Sequence, residues 1–255
     1  MTGAAAPLLQ GRLALVTGGA RGLGRAVVDA CADAGARGAV LDLPSALASA
    51  PPREGWMGLP ADLRDEAAVA AALAEVDRVF GRLDIVVANA GIVPPWRETA
   101  ALDLDEWDAV FAVNVRGVVA TIKHAVPLLL RQGGAIVAMG SINSVRGHGR
   151  QCLYTASKHA VLGVVRATAL DLGRFNIRVN AVGPGPVATD ALLGRMRVRA
   201  DGGGLSVEAA LEAAADTALG RMVTAREVAT AVLFLASDLS AGMTGHLLPV
   251  DGGLA

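Results

Sequence analysis

The feature that most limits what this chain can fold into is a repeated order of elements: a short, wholly apolar run, then a glycine turn or polar break, then a stretch with helical periodicity. Leu13-Ala14-Leu15-Val16-Thr17 is ended by Gly18-Gly19; Gly22 and Gly24 follow, and Val27, Val28, Ala30 and Cys31 continue as a helix that stops at Gly35. Ala39-Val40-Leu41-Asp42-Leu43 supplies the next run. A polar-capped helix from Asp65 to Phe80 leads into Leu83–Ala88, and a long helix from about Asp105 to Arg131 leads into Gly134–Met139. A helix beginning near Cys152 leads into Ile177–Val182, and one from Ala225 to Ala236 precedes His246–Val250. Strands that are apolar at every position, rather than at alternate ones, are those covered on both faces, as in parallel sheets. Only the stretch from Pro184 to about Gly220 breaks the rhythm.

End-to-end alternation predicts an α/β chain: one domain over residues 1–255, a Rossmann-type doubly wound parallel sheet with helices on both faces. Ligands of such a sheet bind outside the carboxyl ends of its strands. Gly18–Gly24, Asn89 and Ser141 all fall at such ends.

The glycine turn Thr17-Gly18-Gly19-Ala20-Arg21-Gly22-Leu23-Gly24 lies between a strand and a helix, where glycines admit close backbone approach and the helix N-terminus attracts a pyrophosphate. Glycines alone would serve any turn; this context makes them a dinucleotide site. Asp42 ends the second strand about twenty residues on, placed to accept bonds from ribose hydroxyls. A 2′-phosphate there would meet a like charge, so Asp42 favours NAD. Arg21 argues the other way, because an arginine in the turn can pair with that phosphate, and NADP stays open.

Tyr154 is the only tyrosine in the chain, and Lys158 follows it by one helical turn, on the same face. An ammonium there favours the phenolate. Bringing a phenol from its ordinary ~10 to about 7 takes roughly 4 kcal/mol, more than one exposed lysine supplies. A partly desolvated site with a second positive charge could supply it.

Charge and composition exclude other classes. A net charge of −1 gives no footprint for nucleic acid or an anionic membrane, so neither is an expected partner. Cys31 and Cys152 form no redox or metal motif, and His124, His148, His159 and His246 have no ligand spacing, so no metal is expected. Met1–Gln10 lacks the charged start and apolar core of a secretory leader, and no uninterrupted apolar run reaches spanning length. The expectation is a cytoplasmic protein.

Six motifs in order resemble the short-chain dehydrogenase/reductase family along nearly the whole chain. Thr17, Gly18, Gly22 and Gly24 have its TGxxxGxG spacing; Asn89-Ala90-Gly91 resembles its NAG segment; Asn114 resembles its helix asparagine. Ser141, Tyr154 and Lys158 resemble its serine and YxxxK, Asn180–Thr189 its PG motif, and Asp251-Gly252-Gly253 its C-terminal signature. The departures are small: Ala88 stands where a second asparagine is common, and Ala218 where a proline often begins the turn.

The resemblance implies a catalytic set of Asn114, Ser141, Tyr154 and Lys158. Tyr154 would be general acid in ketone reduction and base in alcohol oxidation, Lys158 would lower its pKa and hold the nicotinamide ribose, and Ser141 would bond the substrate oxygen. Asn114 would hold a water joining Lys158 to solvent. Cofactor contacts would come from Gly18, Arg21, Gly22, Leu23, Gly24, Asp42, Asp62, Leu63, Asn89, Ala90, Gly91, Tyr154, Lys158, Pro184, Gly185, Val187 and Thr189. A homo-tetramer is the implied assembly, and a lid at about 190–220, with glycines at 202–204, would close over the substrate.

The expected substrate is a small alcohol or ketone entering beside Trp96 and the loop from Asn143 to Gln151. Arg146, His148 and Arg150 are candidates to bind a polar or acidic group there, although single loop charges are usually solvated. Arg195, Arg197 and Arg199 look weaker still, as an alternating wet face. The leading function is an NAD-dependent secondary-alcohol dehydrogenase or ketone reductase. An NADPH-dependent 3-oxoacyl-type ketoreductase is the alternative, and a non-catalytic dinucleotide sensor is a third class, which an intact catalytic set argues against.

Overall fold

The six apolar runs become strands of one parallel sheet, which a seventh strand completes. The computed structural model describes residues 7–254, so the first six residues of the stretch read for a leader, and the last residue of the 1–255 domain, lie outside the described residues. In chain order the main elements are β1 (Leu13–Thr17), α1 (Gly22–Asp33), β2 (Arg37–Asp42), α2 (Pro44–Ser49), β3 (Trp56–Pro60), α3 (Glu66–Phe80), β4 (Ile85–Ala88) and α4 (Leu104–Phe111). Then follow α5 (Gly117–Leu129), β5 (Gly134–Met139), α6 (Cys152–Leu172), β6 (Ile177–Pro184), α7 (Asp190–Asp201), α8 (Val207–Ala214), α9 (Ala225–Ala236) and β7 (Leu247–Val250).

The sheet order is β3-β2-β1-β4-β5-β6-β7. Strand order reverses between β1 and β4, which opens a crevice at their carboxyl ends. Because side chains alternate across a strand, each face has its own core. Leu15, Leu41, Val86, Ile136 and Val179 pack with Val69 and Val76 of α3, Leu129 of α5 and Val161 and Val165 of α6. Val16, Val40, Val87, Val137 and Val182 pack with Val27 and Val28 of α1 and Val228, Val232 and Leu235 of α9. Burial on both sides is the physical reason the strands read as unbroken apolar runs.

Local chemistry sets the helix ends. Asp65 accepts from the N–H groups of Ala67 and Ala68 to cap α3, and Gly81 closes it in the left-handed conformation. Thr224 and Glu227 form a reciprocal capping box at α9.

Three differences from the sequence pattern have clear causes. β3 escapes a periodicity search because Gly58 and Pro60 interrupt it; at the sheet edge a proline costs no ladder bond. The long helix predicted from about Asp105 is divided by a π-helical turn over Ala112–Arg116. Its whole span, Leu104–Leu129, is long and apolar enough by composition to cross a membrane. In the fold, Val118, Ile122, Ala125 and Leu128 of that span are buried in the core shared with α3 and the sheet. The irregular stretch after Pro184 holds two helices, capped by Thr189 and Ser206. α7 escaped notice because only Met196 of its residues is buried, so it carries little apolar periodicity.

Candidate active site

The site begins where β1 ends. Thr17 is buried, and its Oγ1 accepts the backbone N–H groups of both Asn89 and Ala90 at 3.1 Å. Asn89 answers by donating from Nδ2 to the carbonyls of Thr17 and Gly18, at 2.9 and 3.2 Å. These bonds tie the loop after β4 to the turn after β1. The glycines are required by the tie: a Cβ on Gly24 would stand 2.0 Å from the Gly18 oxygen, and one on Gly18 would meet Ala90 Cα at 2.9 Å.

Gly22 is different. It has φ +57, and a Cβ there would meet nothing within 4 Å, because its surroundings are the cleft itself. Arg21, at the N-cap of α1, makes no side-chain cap, and among the described residues no side chain accepts from the first N–H groups of that helix. Exposed helical N–H groups beside an open glycine fit a pyrophosphate. Leu23 lines the same wall.

At the adjacent strand end, Asp42 accepts the Ala20 N–H at 3.0 Å and the Leu43 N–H at 2.8 Å, which fixes its carboxylate at the mouth of the cleft. Asp62 is gripped by Arg64, with contacts from 2.6 to 3.1 Å, and this bonding holds its carboxyl below the usual range. Arg64 lines the cleft as well, and its position two residues after Asp62 is the one signal of it in the sequence. Leu63 is buried against Gly117, whose own Cβ would come within 2.8 Å of it. Asn89, Ala90, Gly91, Pro184, Gly185, Val187 and Thr189 line the rest of this groove.

Ser141, Tyr154 and Lys158 converge on the same cleft. Ser141 follows β5 in extended conformation; its Oγ accepts the Asn143 N–H at 3.2 Å, and Ser144 closes a capping box on it. Tyr154 lies in the first turn of α6, its ring partly exposed to the cleft. Burial pushes the phenol above its ordinary value, while a hydrogen bond with Ser141 and the charge of Arg195 act in the opposite direction. Lys158, one turn further along α6, is buried; its Nζ donates to the Met139 carbonyl at 2.7 Å and lies over the Tyr154 ring, 5.7 Å from the centroid. Burial pushes that lysine down to about 8.

Asn114 is buried in the π-helical turn. Its Oδ1 accepts the Ile92 N–H at 2.8 Å, and its Nδ2 donates to the Ile92 carbonyl at 2.9 Å and to Ser157 Oγ at 3.3 Å. The side chain therefore clamps the segment after Gly91 against α6. A Cβ on Gly91 would stand 3.2 Å from Asn114 Oδ1 and 3.8 Å from Lys158 Nζ.

The cleft measures about 1220 Å³. Trp96 and His148 stand at its outer wall with ring centroids 4.9 Å apart. Arg146 and Arg150 do not line it: Arg146 is exposed and donates to the Leu254 carbonyl, and Arg150 pairs with Glu98 at 3.0 Å. The cations facing this part of the cleft are Arg195 and Arg199 of α7. Reading arginines 195, 197 and 199 as one alternating face missed the helix, on which 195 and 199 share a side and 197 does not.

A parallel sheet reversing at a glycine turn, with a serine, tyrosine and lysine at its carboxyl edge, defines a dinucleotide-dependent oxidoreductase class. The family model described as enoyl-(acyl carrier protein) reductase matches residues 18–255. An uncharacterized short-chain type dehydrogenase/reductase of Sinorhizobium fredii is 38% identical, over 97% of this chain and 98% of its own. Levodione reductase is similar in structure with a TM-score of 0.87 at 32% identity, over 96% of this chain and 97% of its own. Carveol dehydrogenase from Mycobacterium avium, solved in complex with NAD, gives a TM-score of 0.86 at 30% identity, over 97% and 98% of the two chains. The chain belongs to the short-chain dehydrogenase/reductase family, nicotinamide-dinucleotide-dependent oxidoreductases of alcohols and ketones.

Proposed function

We propose that this protein transfers hydride between NAD(H) and a secondary alcohol or its ketone, with Tyr154 as general acid and base. The observation that carries the reading is that Ser141, Tyr154 and Lys158 meet in one cleft with the open glycine turn. The dinucleotide, when bound, supplies the hydride acceptor or donor. The α1 N-terminus with Gly22 would hold its pyrophosphate, Asp42 its adenosine ribose, Asp62 and Leu63 its adenine side, and Val187 and Thr189 its carboxamide.

In reduction the Tyr154 phenol gives its proton to the oxygen on which negative charge develops; in oxidation the phenolate takes the alcohol proton. Ser141 donates a hydrogen bond to that oxygen, where stabilisation is worth most. Lys158 would hold the nicotinamide ribose and adds positive charge near Tyr154, and Asn114 holds the Ile92 segment beside it. α7 and α8 form the substrate lid, with Trp96 and His148 opposite. A homo-tetramer in the cytoplasm is part of the same proposal.

One observation favours a second reading: Arg21 is exposed in the glycine turn, with no ion pair among the described residues, and can meet a 2′-phosphate. An NADPH-dependent 3-oxoacyl-type ketoreductase would use it so. Titration of NADH and NADPH against nicotinamide fluorescence separates the two. Tighter NADH is expected from Asp42; tighter NADPH moves the reductive reading to the front.

A further inference from the structure

We propose that the substrate bears an oxyanion, a carboxylate or a phosphate, bound by Arg195 and Arg199 of α7 beside the catalytic tyrosine. The inference rests on the alcohol–ketone reading above. Residues four apart share one helix face, so the two guanidinium groups are presented one turn apart, and both line the cleft. Arg197, between them in sequence, is exposed and does not line it.

Among the described residues neither Arg195 nor Arg199 lies within ion-pair distance of a carboxylate, and neither donates a hydrogen bond. Of the other arginines near the site, Arg64 is satisfied by Asp62, Arg97 by Glu106 and Arg150 by Glu98, while Arg21, in the glycine turn, shares their lack of an ion pair among the described residues. Asp190 lines the same cleft at the start of α7, yet forms no ion pair with either. A half-buried cation without a counterion forgoes hydration and has no opposite charge to offset the loss. A negatively charged ligand restores the balance.

The second argument is placement. Arg199 stacks over the Trp96 ring at 3.8 Å from its centroid, and Trp96 rests edge-on against His148. Stacking fixes the guanidinium plane and leaves its edge donors free for bidentate recognition of an oxyanion. Arg195 is close enough for its charge to act on the Tyr154 phenol. An anion held by the pair therefore lies near the Tyr154 phenol and the substrate oxygen it serves.

The test is calorimetric titration of the full-length protein, with and without saturating NADH, using butanoate and propyl phosphate as unreactive probes. Wild type should bind one probe, and Arg195→Met with Arg199→Met should weaken it at least tenfold. Arg197→Met, on the exposed side of α7, should leave it unchanged. In turnover, secondary alcohols carrying a terminal carboxylate should exceed their methyl esters in kcat/KM, a preference that collapses toward unity in the double variant. Whichever of butanoate and propyl phosphate binds decides between the two oxyanions. No binding of either, or a double variant that weakens NADH while sparing the probe, overturns the inference. Alcohol oxidation without arginine-dependent anion binding sinks this inference and leaves the oxidoreductase reading standing. Arginine-dependent binding without turnover of any alcohol does the reverse.

Discussion

Lys158 donates to the carbonyl of Met139 at 2.7 Å, anchoring the ammonium to the end of β5 with its Nζ 5.7 Å from the centroid of the Tyr154 ring. Its burial holds the charge against a desolvation cost, which is why it is pushed down to about 8. In the unfolded chain the same group keeps its ordinary 10.5, so between these values the unfolded state binds more protons and stability gains with rising pH. The stability advantage of Lys158→Met over wild type should therefore shrink from pH 7 to pH 10.5, by up to ~3 kcal/mol. Denaturant unfolding of both proteins at several pH values measures it; a constant difference would show that the lysine is not desolvated.

Asn114→Ala should cost about 1–3 kcal/mol, because it removes a buried side chain's bonds to the Ile92 backbone and to the buried Ser157 hydroxyl in one step. Thermal unfolding reads the loss. Turnover should fall further than stability explains, since the segment it clamps adjoins Lys158.

Two glycine substitutions should behave oppositely. Gly24→Ala places its methyl 2.0 Å from a backbone oxygen, so the turn must move and the melting temperature should drop by several degrees. Gly22→Ala meets open space and carries only the left-handed strain of about 1–2 kcal/mol. Its main effect should be at least a tenfold weaker NADH affinity, because the methyl intrudes on the cradle. Equal NADH binding by Gly22→Ala and wild type would remove the cofactor from this turn.

Under the proposed assignment oxidation uses the phenolate of Tyr154 and reduction the phenol, so oxidation should rise with pH where reduction falls. The charge of Arg195 favours the phenolate. Arg195→Met should shift the oxidation profile to higher pH, as kcat measured across pH would show. A shift downward would mean that Arg195 does not face the phenol.

Much of this was legible in the sequence because buried strands and close-packed glycines leave unambiguous marks. The runs at β1 and β5 and the helix α9 agree with the sequence pattern to the residue. β3 was hidden by an edge proline, and the division of the α4–α5 helix by a π turn that keeps helical periodicity on both sides. The substrate side was least legible. Arg146 and Arg150 precede the tyrosine closely in sequence, yet a loop with Arg150 at φ +62 sends them to Leu254 and Glu98. Arg195 and Arg199 lie far beyond the tyrosine in sequence, and only the folding of α7 back over the cleft brings them to it.

The most direct test of the central claim is turnover of Tyr154→Phe, with NADH binding followed in parallel by fluorescence. Loss of the acid/base should lower kcat by about 10²–10⁴-fold while NADH still binds. Turnover within tenfold of wild type would contradict the assignment of Tyr154 as the group that moves the proton.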